Sequence, residues 1–418
     1  MWVRNFVLLQ LCLVLVPGFC QRISPLSSPP DWSRLDAFQE TMTQDEFVTL
    51  LSSVYAPAGA AGRWISIVPG RALIRENATD SFVLRFAPAP ASRRPITRYW
   101  KPASEWKSLP DRPLQGITIA LDPGHLGGDW AKMEERWFQI GDSAPIMEGN
   151  LTLRVAQLLA PRLEALGARV KLVRSKPGPV TDLRPEAFLE AAKTTLSEQG
   201  VTDILPFFNG PSDPNKERSL PWTADLLFYR IGEIQARARL VNEIIKPDLT
   251  LCLHFNAEPW GDPANPVLVD SNHLHLLING NYSAAELGYD DVRYAMLIKL
   301  LSRTYENELP LSKAVAAALA RVTRLPPYRY TTPNAKAMDP SGYVWARNLL
   351  ANRLYECPVV YVECYVMNSR EFSARFQAGE YEGLREFGGV LHRNLYQEYA
   401  RGAVDGLVDY FRSNRTSR

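Results

Sequence analysis

From Gly116 onward, short apolar segments typical of buried strands alternate with segments whose apolar residues recur at helical spacing. Strands are predicted at residues 117–121, 248–257 and 357–366, and an amphipathic helix is predicted from about residue 150 to 167. Strands separated by helices build a layered α/β fold whose sheet is largely parallel. The sequence therefore predicts an α/β fold with a mostly parallel sheet for this part of the chain.

The residues before this pattern predict a different organisation. Residues 1–20 place one cation, Arg4, before an apolar run and a Pro-Gly-Phe-Cys sequence, which is the anatomy of a secretory signal peptide. Residues 21–113 combine a helical pattern at 33–55 with alternating strand patterns and a Pro-rich linker. They are predicted to form a small α+β accessory region, and residues 114–412 are predicted to form the main domain.

The leader predicts export to the periplasm or the extracellular space. Its apolar run is shorter than the roughly 20 residues that a membrane-spanning helix needs, which favours a cleaved leader. A retained N-terminal anchor or a lipoprotein is the alternative. A net charge of +2 over 418 residues gives no strong positive field, and no nucleic-acid partner is expected. Cys252 and Cys364 lie in apolar strand patterns and are predicted to be core thiols.

Four side chains able to bind or serve a metal ion occur at or near the ends of predicted elements. His125 follows the first strand directly after an Asp-Pro-Gly turn, and His254 stands near the end of another strand. Glu148 precedes the long helix, where an acid can also simply favour the helix N-terminus. Glu363 lies in a Val-rich strand, where an unpaired carboxylate is costly to bury. Because α/β folds bind ligands at the carboxyl ends of strands, we expect these groups to form a site.

This set of residues suits a catalytic zinc ion. Such sites use three protein ligands, often two histidines and a carboxylate, and leave the fourth position to water. His125, Glu148 and His254 fit the ligand set. Glu363 fits the carboxylate that takes a proton from water and delivers it to a leaving amine. The spacing is wide and irregular, so spacing alone is weak evidence.

Other polar residues are expected to have supporting or structural roles. Asp122 and Asn256 adjoin two candidate ligands and could orient them, although hydrogen bonding in a turn and at a strand end explains them equally well. Arg230 is expected to be structural because its helix has the pattern of a scaffold helix. The remaining histidines have no ligand motif beside them and are not expected to bind a metal: His273, His275 and His392.

Four segments resemble, in the same order, motifs of the zinc-dependent N-acetylmuramoyl-L-alanine amidases, the type 3 cell-wall amidase family. They are IALDPGHLGG, EGNLTLRVAQLLAPRLEALGARVKLVRS, RIGEIQARARLVNEIIKPDLTLCLHFNA and CPVVYVECYVMNSREFSARF. The resemblance covers roughly residues 116–410. It departs from the family pattern at Val173, Cys252 and Leu253, where the family has Thr, Ser and Ile.

The resemblance implies a sheet with helices on both faces and one zinc ion per chain, held by His125, Glu148 and His254. It also implies that Glu363 is the catalytic glutamate. The implied enzyme is a hydrolase that cleaves the amide between the lactyl group of N-acetylmuramic acid and L-alanine in peptidoglycan or a muropeptide. Whether an activator protein takes part is left open.

Two insertions distinguish the chain from this family, near residues 126–147 and 186–222. Glu134 and Glu135 fall in the first insertion and could compete for the ligand role, but the helix begins directly after Glu148, as it does in the family. Both insertions could form walls or lids over the site. Two other interpretations stay open: a zinc peptidase that cuts within stem peptides, and a catalytically decayed cell-wall binding or regulatory protein.

Overall fold

The computed structural model describes residues 22–77, 79–107, 109 and 111–416. The predicted signal peptide, residues 1–20, lies outside these residues and stays a prediction. Among the described residues, none of the helices combines the length and the apolar character needed to span a membrane.

The helices and strands alternate along most of the described chain. The α-helices are α1 (Gln44–Leu50), α2 (Glu148–Ala165), α3 (Leu189–Glu198), α4 (Leu220–Leu227), α5 (Glu233–Arg239), α6 (Asp290–Leu301), α7 (Tyr305–Thr323), α8 (Leu350–Leu354), α9 (Arg370–Gln377) and α10 (Leu395–Asn414). The strands are β1 (Ile65–Val68), β2 (Arg71–Arg75), β3 (Ser81–Arg85), β4 (Thr118–Pro123), β5 (Trp137–Phe138), β6 (Ile146–Met147), β7 (Arg169–Leu172), β8 (Leu249–Asn256), β9 (Leu274–Ile278), β10 (Lys336–Ala337), β11 (Val344–Ala346), β12 (Val359–Val366), β13 (Arg385–Phe387) and β14 (Val390–His392).

The central sheet has the strand order β10-β11-β9-β12-β8-β4-β7. Strands β7, β4, β8 and β12 run parallel to one another, whereas β9 is antiparallel to β12 and the short β10 is antiparallel to β11. The predicted α/β fold with a mostly parallel sheet is therefore confirmed. Because four parallel strands end at the same edge, residues that follow them are brought together there.

Alternate residues of the central strands pack against helices on opposite faces of the sheet. Leu251 of β8 belongs to a core that also contains side chains of α2, α7 and α10. Cys252, the next residue, belongs to a second core with Ala238 of α5. His254 lies two residues further and so faces the α5 side. The expectation of helices on both faces is confirmed, and Cys252 and Cys364 are buried free thiols, as predicted.

The N-terminal region forms an antiparallel sheet of β1, β2 and β3. The single helix predicted for residues 33–55 is wrong, because a 3-10 helix, Trp32–Phe38, ends before α1 begins. Thr43 caps α1: its hydroxyl accepts from the Glu46 backbone N–H, and the Glu46 carboxylate accepts from the Thr43 backbone N–H. This region shares a hydrophobic core with α6, including Leu297. The boundary at residue 113 stays a prediction.

The two inserted segments form short elements near the strand ends. The first contains the β5–β6 hairpin, and the second contains α3 and the first residues of α4. After α4 the chain continues through a π-helical segment, Phe228–Gly232, into α5. Residues 388–413 have a helical pattern in the sequence, but α10 begins only at Leu395, where the Asn394 side chain accepts a capping hydrogen bond from the Tyr396 backbone N–H. His392 therefore lies in a strand, β14, rather than in a helix.

Candidate metal centre and its cavity

The ends of β4, β8 and β12 and the start of α2 surround one site. Glu363 of β12 is paired with His254 of β8 in the parallel register. His125 follows β4 after one intervening residue and adopts a left-handed backbone conformation, with φ of 61°. Glu148 is the first residue of α2. The sheet edge thus collects four side chains that are far apart in the sequence.

Glu148 lies between the two histidines. Its Oε2 is 3.0 Å from His125 Nε2, and its Oε1 is 3.2 Å from His254 Nδ1. The Phe255 backbone N–H donates to Oε1 at 3.1 Å and holds the carboxylate in place. One donor atom from each of the three residues lies within 4.8 Å of the others. Two imidazoles and one carboxylate at this spacing fit a zinc ion with an open fourth position.

Glu134, from the first inserted segment, orients His125. Its Oε1 lies 3.4 Å from His125 Nδ1, and its carboxylate accepts hydrogen bonds from the backbone N–H groups of Leu126 and Gly127. A carboxylate on the second ring nitrogen is the usual outer partner of a metal-binding histidine. Glu135 instead forms an ion pair with Lys216 at 2.6 Å. Neither acid belongs to the cluster of three donors.

Arg237 of α5 fixes the turn that carries His125. Its guanidinium donates to the His125 carbonyl, the Pro123 carbonyl and Asp122 Oδ1, each at 2.9 Å. Asp122 also accepts a hydrogen bond from the Tyr355 hydroxyl at 2.5 Å. Asp122 thus acts on the turn, through Arg237. The orienting role foreseen for Asp122 stays a prediction, with this contact as its physical basis.

Charge interactions shift the pKa values of the cluster. Burial works against ionisation of Glu148, but His125 and His254 hold the pKa of its carboxyl well below its usual range. Burial also disfavours the charged form of His125, yet Glu148 and Glu134 raise the pKa of its imidazole to about 9. Burial lowers the pKa of His254. At neutral pH the free cluster therefore carries a proton on His125, and a bound cation has to displace it.

Glu363 faces this cluster from β12 and lines the adjoining cavity. Burial, together with the negative charge of Glu148, raises the pKa of Glu363 to about 8. A carboxyl group whose pKa lies near neutrality can both accept and return a proton during one reaction.

Zinc binding at pH 7 is expected to release about one proton from His125, because metal and proton compete for the same nitrogen. Below the His125 pKa of about 9, zinc affinity should rise about tenfold per pH unit, and above it this dependence should fade. Calorimetric titrations in buffers of different ionisation enthalpy measure the released proton. The Glu363→Gln variant is the control, since Glu363 also titrates near this range. Buffer-independent heats at pH 7 would contradict the ligand role of His125.

The His254 ring is held between Tyr361 and Gly124. The rings of His254 and Tyr361 are stacked, with centroids 4.4 Å apart. A Cβ atom on Gly124 would lie 2.1 Å from His254 Cε1, so only glycine leaves room for the imidazole. This close approach explains the glycine of the Asp-Pro-Gly turn.

Replacing Gly124 by alanine is expected to keep the fold and to weaken zinc binding by at least about 10-fold, because the displaced His254 ring loses its ligand geometry. Zinc per chain after equilibration with a competing chelator measures the effect. Gly288→Ala is the matched control, since its Cβ would make only an ordinary 3.6 Å contact with Trp64. Equal zinc retention in both variants would show that the His254 ring tolerates displacement.

A cavity of about 1170 Å³ opens beside the cluster. Trp137 of the first inserted segment and Trp222 near the end of the second line it, as does Trp260 after β8. Its volume exceeds that of most small-molecule sites, which favours an extended ligand. That the inserted segments act as lids stays a prediction.

The other polar residues considered from the sequence, Asn256 and three histidines, lie outside the cluster of three donors. Asn256 lines the cavity but is not among the cluster donors. His273 lies 3.4 Å from Glu258, His275 lies 3.0 Å from the Tyr330 hydroxyl, and His392 lies 3.4 Å from Glu398. Each of these histidines therefore has a partner outside the three-residue cluster.

Three residues near the cluster were missed by sequence reasoning. Tyr361 and Arg237 carry weak signals: Tyr361 precedes Glu363 by two in the same strand, and Arg237 follows Glu233 at the i,i+4 spacing of a helical ion pair. Arg136, whose Nε lies 3.3 Å from Glu148 Oε2, carries none, because it lies in a loop whose path the sequence does not indicate.

Comparison with known proteins gives relatives over part of the chain. No protein-family model matches it. A Staphylococcus epidermidis protein described as "Probable cell wall amidase LytH" is 29% identical over 140 residues, which cover 32% of this chain and 43% of that relative. A Staphylococcus aureus protein of the same description is 28% identical over 129 residues, covering 30% of this chain and 41% of the relative. The match spans less than half the length of these relatives.

Among solved structures, the N-acetylmuramyl-L-alanine amidase Ami1 from Mycobacterium abscessus is 18% identical, with a TM-score of 0.37, over 71% of this chain and 99% of its own. The CwlD amidase from Clostridioides difficile, in complex with the GerS lipoprotein, is 14% identical, with a TM-score of 0.37, over 71% of this chain and 98% of its own. The staphylococcal relatives confirm the resemblance to cell-wall amidases that the four sequence segments predict.

Proposed function

We propose that this chain is a zinc-dependent N-acetylmuramoyl-L-alanine amidase that acts on peptidoglycan outside the cytoplasm. The observation that carries the proposal is the convergence of His125, Glu148 and His254 beside Glu363 at the edge of one sheet. Similarity to cell-wall amidases over about a third of the chain supports the substrate class. The leader pattern of residues 1–20 supports export.

In this proposal, His125, Glu148 and His254 hold one zinc ion. When bound, zinc supplies Lewis acidity that polarises the scissile carbonyl and lowers the pKa of water to about 7. Glu134 keeps a proton on His125 Nδ1, so that Nε2 is free to act as the donor atom. Tyr361 and Gly124 fix the plane of the His254 ring.

Glu363 moves the proton. Its carboxylate accepts a proton from the attacking water while the water oxygen bonds to the lactyl carbonyl carbon. It then delivers this proton to the L-alanine nitrogen as the carbon–nitrogen bond breaks. The products are the free lactyl carboxylate on the glycan and a stem peptide with an N-terminal alanine. A pKa near neutrality suits a group that performs both transfers.

The test is digestion of purified peptidoglycan by the zinc-loaded chain, followed by mass spectrometry. The expected products are intact stem peptides that begin with alanine, and glycan strands with free lactyl groups. Chelated protein is the control, and readdition of zinc should restore release. Shortened peptides would favour a peptidase, and the absence of any release by zinc-loaded protein would contradict the proposal.

A further inference from the structure

Two arginines, Arg136 and Arg230, line the cavity beside the candidate metal centre. Arg230 Nε donates to the Tyr229 hydroxyl at 3.1 Å. Burial raises the pKa of Tyr229, while the positive charges of Arg230 and then Arg136 act in the opposite direction. All three residues line the cavity that holds the candidate metal centre.

These two cations come from different parts of the chain. Arg136 belongs to the inserted segment 126–147, and Arg230 belongs to the π-helical segment Phe228–Gly232 that leads into α5. Two positive charges that line one cavity repel each other, and an anion bound in that cavity relieves the repulsion. The expectation that Arg230 is merely structural is revised by this exposed position in the cavity.

The two arginines differ in their acidic contacts within the described part of the chain. Arg230 is exposed and forms no ion pair there. The acidic contact of Arg136 is Glu148 Oε2, at 3.3 Å, and Glu148 is committed to the metal in the proposed function. Three other acids of the cavity have basic partners of their own: Glu135 contacts Lys216, Glu233 contacts Arg237 and Glu258 contacts His273.

We propose that Arg136 and Arg230 form an anion subsite that binds a carboxylate of the stem peptide next to the scissile amide. This inference rests on the proposed function for the identity of the substrate. The sugar rings of a glycan offer neutral hydroxyl groups, whereas the stem peptide carries carboxylates, for which the planar guanidinium fork is the matching partner. The enzyme therefore selects peptides that carry a free acid at this position.

The experiment compares cleavage of muramyl peptides by the zinc-loaded chain. One pair of substrates differs at the residue after alanine, which carries either a free carboxylate or a primary carboxamide. A second pair differs in the same way at the peptide C-terminus, which locates the recognised acid. We expect kcat/KM to favour the acid over the amide by about 10-fold in one pair, as for a charge-assisted hydrogen bond.

Variants assign this preference to the two arginines. Arg230→Ala should abolish it without loss of zinc, since Arg230 does not touch the cluster donors. Arg136→Ala should do the same, with zinc content measured because Arg136 contacts Glu148. Arg321→Ala, on α7 and outside the cavity, is the control for removal of an exposed positive charge and should keep the preference.

Equal kcat/KM for acid and amide in both pairs, or a preference that survives in Arg230→Ala, would overturn the subsite. Failure of the proposed function gives a different result, because then neither substrate is cleaved. In that case calorimetric binding of the same peptides decides: tighter binding of an acid, lost in Arg230→Ala, supports the subsite, and equal binding overturns it.

Discussion

Replacing Glu363 by glutamine is expected to leave the zinc bound and to lower kcat at least about 100-fold, the usual loss on removal of a general base. The side chain keeps its size but can no longer accept the proton of the attacking water. Glu363 is not one of the three cluster donors, so zinc content should be unchanged. Turnover of a soluble muropeptide, together with metal analysis of the same sample, measures both effects.

Glu258→Gln is the matched control for this substitution. Glu258 lines the same cavity and contacts His273 rather than the cluster. Its kcat should stay within a few-fold of the unaltered chain. A Glu363→Gln variant with near-normal turnover would remove Glu363 from the mechanism.

Replacing His254 by alanine is expected to weaken zinc binding at least about 100-fold, because loss of an outer partner alone costs about 10- to 100-fold and His254 is a proposed direct ligand. Hydrolysis should fall below detection for the same reason. Zinc should also cease to raise the melting temperature, since a ligand stabilises a fold only to the extent that it binds the folded state.

His275→Ala is the matched control for the loss of a histidine. His275 lies on the neighbouring strand β9, paired with Glu363 in the antiparallel register, and bonds to Tyr330 instead of the cluster. This variant should retain one zinc per chain. One full zinc equivalent in His254→Ala would instead remove His254 from the ligand set.

The architecture and the candidate donors could be predicted from local patterns. Alternating apolar segments indicate the strands and helices, and the binding of ligands at the carboxyl ends of strands in α/β sheets directs attention to His125 and His254. The signal for Glu148 is the helix that follows it, and the signal for Glu363 is its place in a Val-rich strand, where burying an unpaired carboxylate is costly. These arguments use only neighbours in the sequence.

Features that depend on distant contacts could not be predicted in this way. The antiparallel direction of β9 follows from the path of the chain between β8 and β9, which has no local signature. The role of Glu134 beside His125 depends on how the inserted segment folds back over the turn. The break between Phe38 and α1 did have a local signal, the Thr43 and Glu46 capping box, which the apolar spacing obscured.

The two inserted segments, which distinguish this sequence from the cell-wall amidase pattern, form part of the cavity wall. Trp137, Arg136 and Lys216 come from these segments and line the space beside the cluster. Their side chains combine aromatic surface with positive charge, which suits a ligand that has both sugar rings and acidic groups. Selectivity among muropeptides is therefore expected to reside in these segments rather than in the three metal-binding residues.

Anomalous diffraction at the zinc absorption edge, from crystals of the zinc-loaded chain, tests the central claim most directly. The account predicts one strong peak per chain, bonded to His125 Nε2, His254 Nδ1 and the Glu148 carboxylate, with Glu363 facing the open position. An ion bound by Glu134 or by other residues, or no peak at this cluster in zinc-replete crystals, would contradict it.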